Sequence, residues 1–319
     1  MTKAFPFHVV LFTFNLPFVL SIRVFANNDD RLIPRMLNFV RRAYSGPVHP
    51  GDLERALSSL GMDGSTDAII HSSLSSFGYV YGGAPSLIET LQSKVRTILT
   101  PAFSYYTLVW PERLRQPDWP KHLPVDGPIY RPDSPVSSDI GRIPQTLLER
   151  NKAQRSSHPA LSFLALGEHA EKLLRVQSLE NPYAPIGALY QLDGDVLLLG
   201  VDHRSNTTIH YGEYLAGRPL LDRYANSKDG AVHTYFPNCS AAFNILQSKL
   251  ESLETVDCGK AVISRMKVRD VVDSTVRLLE KNPEALLCTY QGCRCQTVRD
   301  KIRKRGLEPR FDWVFDSIG

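Results

Sequence analysis

The sequence lacks an apolar run fit to cross a membrane. Its longest candidate, Ala4 to Ile22, is interrupted by Pro6, His8, Asn15 and Pro17, whereas a spanning helix needs about 20 largely apolar residues. A disulfide framework is also missing. The five cysteines (Cys239, Cys258, Cys288, Cys293 and Cys295) are odd in number and crowd toward one end of a 319-residue chain. That pattern reads as reduced thiols in a cytoplasmic protein rather than as a secreted scaffold. Nor does one charge sign dominate the body of the chain. Residues 1–46 carry +4 and residues 294–319 carry +3, which leaves −3 over 47–293. A weakly acidic body with basic ends argues against a nucleic-acid footprint and suits a cationic small molecule. Internal repeats and low-complexity stretches are absent, so the chain does not read as a repeat array.

What is present fits a globular enzyme: 43% of residues are hydrophobic and 22% charged. At the N-terminus, Lys3, the apolar stretch and Val24-Phe25-Ala26 have the outline of a signal peptide. The interruptions and Arg23 speak against it, and residues 1–46 are expected to be an appended or poorly ordered leader, with a signal segment, and so secretion, left open. The domain is expected over 47–319, and no stable membrane association is expected.

Periodicity becomes regular from about residue 50. Leu53, Ala56, Leu57 and Leu60 share a helical face that Gly61 ends. Ala68 to His71, Thr97 to Thr100 and Leu161 to Leu166 read as short strands. Leu87, Leu91 and Val95 mark a helix opened by Gly82-Gly83-Ala84-Pro85. Helices are expected over 144–151 and 168–179, from Asn206 or Thr207 through Glu213, and along Val268, Val271, Val272 and Leu279. Asp195 to Val201 is the strongest strand, apolar on both faces as in the middle of a covered sheet. This alternation predicts one layered α/β domain with a mostly buried central sheet flanked by helices. Residues 101–141, rich in Pro, Tyr and Trp without a clear period, are too long for an idle connection and are expected to line a binding site.

Five segments carry the candidate chemistry. His71-Ser72-Ser73-Leu74, followed by Gly82-Gly83, is a strand end leading to a glycine-permitted helix start, where N–H groups suit a phosphate or acyl oxygen. Thr100-Pro101-Ala102-Phe103 ends the next strand, where ligands gather in open sheets. Arg155-Ser156-Ser157-His158-Pro159 offers a cation, two hydroxyls and an imidazole, which could hold a phosphate or form a solvated turn. In Asn206-Thr207-Thr208-Ile209-His210-Tyr211-Gly212-Glu213 the i, i+3 spacing puts His210 and Glu213 on one face. Such a pair serves a general base or a plain surface ion pair. Tyr235 to Phe243 is the fifth.

In this order the segments resemble the aminoglycoside 3-N-acetyltransferase family, antibiotic acetyltransferases distinct from the GNAT fold, over about residues 48–290. The resemblance implies direct transfer from acetyl-CoA to an amine of an aminoglycoside. It implies a coenzyme track along Ser72, Ser73, Leu74, Val80, Gly82 and Gly83, with Thr100 at the strand end and Arg155 and Ser156 nearby. His210 would be the base and Glu213 its orienting carboxylate, with Thr208 directed into the cleft. His158 stays open between a cleft residue and a turn stabiliser. Some members of that family support the histidine through an acid farther downstream. Here the corresponding Tyr235-Phe236-Pro237-Asn238 has no carboxylate, which leaves the supporting acid open. Two further readings remain: transfer to another amine, such as a nucleotide-like or peptide antibiotic, or a non-catalytic binder that sequesters its ligand.

Near the C-terminus, Cys288, Cys293 and Cys295 could together bind zinc, but no fourth ligand stands at finger-like spacing. Packed, reduced cysteines and no metal are therefore expected. The basic run Arg299 to Arg305 reads as a solvated helix face.

Overall fold

The computed structural model describes residues 46–112, 123–150, 152–237 and 239–310. The expected leader, apart from Gly46, lies outside the described residues.

Strand β1 (Asp67–Ser72) is the axis of the fold. It is flanked in parallel by β2 (Thr97–Pro101) and β6 (Asp195–Leu199), with Ala68 paired to both Ile98 and Asp195. Antiparallel strands extend both sides. Strands β5 (Phe163–Gly167) and β4 (Gln154–Arg155) lie beyond β2, and β10 (Ala261–Lys267) and β9 (Glu254–Cys258) lie beyond β6. The result is a mixed seven-stranded sheet in the order β4-β5-β2-β1-β6-β10-β9.

The continuous apolar runs are explained by what covers the sheet. Successive side chains of a strand face opposite sides, and here each side has its own core. Ile69, Leu99, Phe163, Val196, Leu198 and Met266 join one cluster, and Ala68, Ile70, Ile98, Leu164, Leu197 and Ile263 join the other. The second core is closed by α1 (Pro50–Ser59), α2 (Gly83–Lys94) and α3 (Arg142–Glu149), through Leu53, Leu57, Leu87, Leu91 and Leu147. The first is closed by α4 (Ala170–Leu174), α5 (Ala184–Gln191), α6 (Thr208–Leu215) and α7 (Val268–Lys281), through Leu173, Ile186, Ile209, Val271 and Val272. Emptying such a doubly covered position is costly: Leu197→Ala is expected to lose about 2–5 kcal/mol of stability.

A smaller sheet of β3 (Leu108–Val109), β7 (Leu221–Ser227) and β8 (Gly230–Phe236) stands apart, and α8 (Cys295–Arg305) shares a minor core with it through Leu221, Val298 and Ile302. No helix among the described residues is long and apolar enough to cross a membrane.

The strand expected through Val201 ends at Leu199, and the helix expected over 144–151 runs from Arg142 to Glu149. Two further differences share a cause. The helix expected over 168–179 stops at Leu174, and β5 begins at Phe163 rather than Leu161. One side chain bears on both: Gln177 Nε2 donates to Leu161 O at 2.8 Å and to Pro182 O at 2.6 Å. The Leu161 carbonyl is thereby held by a side chain, and the chain after α4 is tied to a proline-bearing turn.

Candidate active site

The three parallel strands deliver their C-terminal ends to one edge of the sheet. Their N-terminal ends carry buried Asp67, paired with Arg96 and His169, and buried Asp195, paired with Arg265 and Lys267. The C-terminal ends open into a cleft of about 1040 Å³. In open sheets this is the edge at which ligands bind. Among the expected residues, Ser72, Ser73, Leu74, Val80, Gly83, Thr100 and His210 line it. The 101–141 segment contributes Phe103, Tyr105, Asp139 and Gly141; residues 113–122 lie outside the described residues.

The β1 exit is held by main-chain pairing. Ser73 N–H donates to Leu199 O at 2.9 Å, and Ser76 Oγ donates to Ser73 Oγ at 2.9 Å. Thr100 Oγ1 donates back to Ile70 O. Val48 N–H donates to Tyr79 O and Tyr81 N–H to Val48 O, pinning the loop that carries Val80. Gly82 (φ 73°) caps α2 in the left-handed region, and a Cβ there would come within 2.7 Å of Ser86 Cβ. The helix start is a poorer anion site than its glycines suggest. The Gly83 N–H is spent on Val80 O, and Pro85, the third helical residue, has no N–H.

His210 sits in the first turn of α6 with its ring at the cleft wall. Asn206 Oδ1 accepts from the Thr208 N–H, which satisfies one donor of the helix start. His210 Nδ1 and Glu213 Oε2 lie 2.6 Å apart, and Phe243 packs edge-on against the imidazole at 4.7 Å between centroids. Glu213 is fully buried, and its other oxygen accepts from Arg218 Nη1 at 2.5 Å. Arg218, equally buried, donates through Nη2 to Pro283 O and Ala285 O. With a carboxylate accepting at Nδ1, the neutral ring carries its proton there and keeps its lone pair on Nε2. No short-range pattern marks Arg218, which follows the helix end and Gly217.

Several expected residues stand behind the cleft. Arg155 is consumed by the protein: Nη2 donates to Ala102 O and Ser104 Oγ, Nε to Ser162 Oγ, and Nη1 to Pro132 O and Ser134 O. Its guanidinium ties the 130s loop to the end of β2 and does not line the cleft. Ser156 accepts from the Phe163 N–H through Oγ and from the Tyr130 hydroxyl through its carbonyl. Thr208 is fully buried and does not line the cleft. His158 takes the turn role: Nδ1 accepts from the Leu161 N–H at 2.9 Å and from the Ala160 N–H at 3.2 Å, and Nε2 therefore donates to Thr234 Oγ1 at 2.8 Å.

Burial pushes His158 down to about 3, and burial with nearby His203 pushes His71 to about 3. An unfolded chain protonates both near pH 6.5, so it binds more protons than the folded one between pH 6.5 and 3. Stability is complete above that window and declines as pH falls through it. The Asn side chain can mimic the Nδ1 acceptor without titrating. His158→Asn is therefore expected to flatten the loss of stability between pH 6.5 and 4.5 by roughly 1.4 kcal/mol per pH unit. Urea unfolding at stepped pH measures this; equal slopes in both proteins would refute the assignment.

Comparison with known proteins places this geometry. Residues 69–280, about two thirds of the chain, match the family model described as aminoglycoside 3-N-acetyltransferase. Aminoglycoside N(3)-acetyltransferase IX of Micromonospora chalcea is 34% identical over 183 residues, covering 54% of this chain and 63% of that protein, so the chain matches less than two thirds of that relative. Aminoglycoside N(3)-acetyltransferase IV of Salmonella sp is 30% identical over 263 residues, covering 76% and 94%. A crystal structure of a mutant aminoglycoside acetyltransferase AAC(3)-IVa in complex with a gentamicin superposes with a TM-score of 0.67 at 25% identity, covering 80% of this chain and 98% of that one. The chain belongs to the aminoglycoside 3-N-acetyltransferase family.

Proposed function

We propose that the protein transfers the acetyl group of acetyl-CoA to an amine of an aminoglycoside. The observation that carries this reading is the buried Arg218–Glu213–His210 chain, which ends in an imidazole at the cleft wall. Acetyl-CoA would supply the activated thioester. His210 Nε2 would take the proton that the substrate ammonium must lose to become a nucleophile. Glu213 fixes the ring's tautomer and orientation and balances the positive charge the ring acquires. The amine nitrogen then bonds to the acetyl carbon as the carbon–sulfur bond breaks, and the second proton that the nitrogen loses on becoming an amide goes to the departing thiolate.

The rim suits both partners. Arg142 and Arg204 line the cleft with exposed guanidinium groups, each ion-paired to a carboxylate but open to phosphate oxygens. Asp139 lines the same cleft and offers a carboxylate to a cationic amine. A relative solved with a gentamicin supports the substrate class. Thiol release from acetyl-CoA across a panel of 2-deoxystreptamine aminoglycosides tests the proposal. Release with at least one member is expected. Binding without release would indicate a sequestering protein, and release only with another amine would move the substrate elsewhere.

Gly83 gives a narrower test. An added Cβ would meet only Pro85 Cδ at 4.0 Å, so the protein has space for it, but the residue lines the cleft at φ 58°. Gly83→Ala is expected to cost about 1–2 kcal/mol in backbone strain. It should also raise KM for acetyl-CoA several-fold with little change in KM for the amine. Equal changes in both would place Gly83 away from the coenzyme.

A further inference from the structure

The fourth ligand that the C-terminal cysteines lack in sequence is supplied by the fold. Cys239 follows β8 and Pro237, and it approaches Cys288, 49 positions later, to 3.4 Å between sulfurs. It lies 3.5 Å from both Cys293 and Cys295, and all four sulfurs fall within 4.8 Å of one another. A disulfide would bring two sulfurs to about 2.05 Å, so these contacts are not bonds. They match another geometry: tetrahedral zinc with Zn–S near 2.3 Å separates its ligands by roughly 3.8 Å.

We propose that Cys239, Cys288, Cys293 and Cys295 form a structural zinc site that clamps the C-terminal segment to the rim of the catalytic cleft. The donor set is four soft thiols, which selects zinc over hard cations. Four protein ligands also leave no open position, the mark of a structural rather than a catalytic site. Each thiol releases its proton on coordination, leaving a zinc tetrathiolate of charge −2. That charge sits at the N-terminus of α8, where Cys295 is the first helical residue, and beside Arg294 in the chain.

The surroundings give such a clamp a purpose. The apolar core shared by α8 and the small sheet is minor, with Leu221, Leu287, Val298 and Ile302 its buried non-cysteine members. Small cores commonly need a metal or a cross-link. Three of the four thiols lie beyond residue 280, where the family match ends, whereas Cys239 lies within it and lines the cleft. Phe243, the residue packed edge-on against His210, follows Cys239 closely in the chain. Metal binding would therefore join the C-terminal segment to the wall of the active site.

Metal analysis of the full-length protein, purified under reducing conditions and then offered zinc, tests this directly. About one tightly held zinc per chain is expected. Cobalt-loaded wild-type protein should show the thiolate charge-transfer and visible bands of a tetrahedral sulfur site, a readout that needs no variant to fold. Cys288→Ser and Cys293→Ser should bind almost none, while Cys258→Ser, whose thiol belongs to the main core, should keep the full amount. Four results would each overturn the proposal: no metal after reductive loading, bound iron in place of zinc, disulfides among these cysteines in protein kept reduced, or zinc retained by both cluster variants. None of these measurements depends on acetyltransfer, so the zinc site and the proposed activity can fail separately.

Discussion

Replacing His210 with alanine is expected to lower kcat by about 10²–10⁴-fold, the range for loss of a positioned general base. Fold and acetyl-CoA affinity should be largely unchanged. The two parts of this expectation rest on different contacts. Rate is lost because Nε2 is removed from the cleft wall. Stability is kept because Glu213, the buried charge behind the ring, retains Arg218 as its partner when the imidazole is gone. The ring itself is partly exposed at the cleft and leaves no sealed void. Steady-state kinetics with thiol detection, set beside coenzyme binding and thermal melting, separate these effects. A folded His210→Ala protein that binds acetyl-CoA and turns over near the wild-type rate at neutral pH would remove His210 from the mechanism. His158 is then no substitute, because both of its ring nitrogens are committed inside the fold.

What was legible in the sequence is what depends on near neighbours. Strands β1, β2 and β6 show as apolar runs because helices cover both faces of the sheet. The His210–Glu213 pair shows because a helix brings i and i+3 together. Long-range contacts left no such trace. In sequence Arg155 fits a phosphate ligand or a solvated turn equally, because its partners in the fold, Ala102, Ser104, Pro132 and Ser134, come from separate segments. Cys239 looked unrelated to the later cysteines because the small sheet and α8 must fold before they meet. Glu213 contacts the imidazole in the fold. Its own anchor, Arg218, lies past the helix end, where no periodicity points to it.

That anchor carries the largest expected effect on stability. Arg218→Ala should destabilise the protein by about 3–5 kcal/mol, the cost of stripping one partner from a buried ion pair. Three acceptors lose a donor at once: Glu213 Oε1, Pro283 O and Ala285 O. Glu213 would then be a carboxylate sealed from water with only His210 beside it. Domains are stable by about 5–15 kcal/mol in total, so the variant should melt much earlier and accumulate poorly. Charge and shape can be told apart. Arg218→Lys keeps the charge, but one ammonium cannot reproduce the planar fork that reaches both the carboxylate and the carbonyls, so it should fall between wild type and alanine. Glu213→Gln combined with Arg218→Met removes both charges and fills the space. It should recover a large part of the stability lost in Arg218→Ala while staying catalytically impaired, because the imidazole no longer faces a carboxylate. Urea unfolding of the single and double variants measures the coupling. If Arg218→Ala unfolds at the wild-type urea concentration, the pair is not the buried support described here, and the orientation of His210 must come from Phe243 and Tyr183 instead.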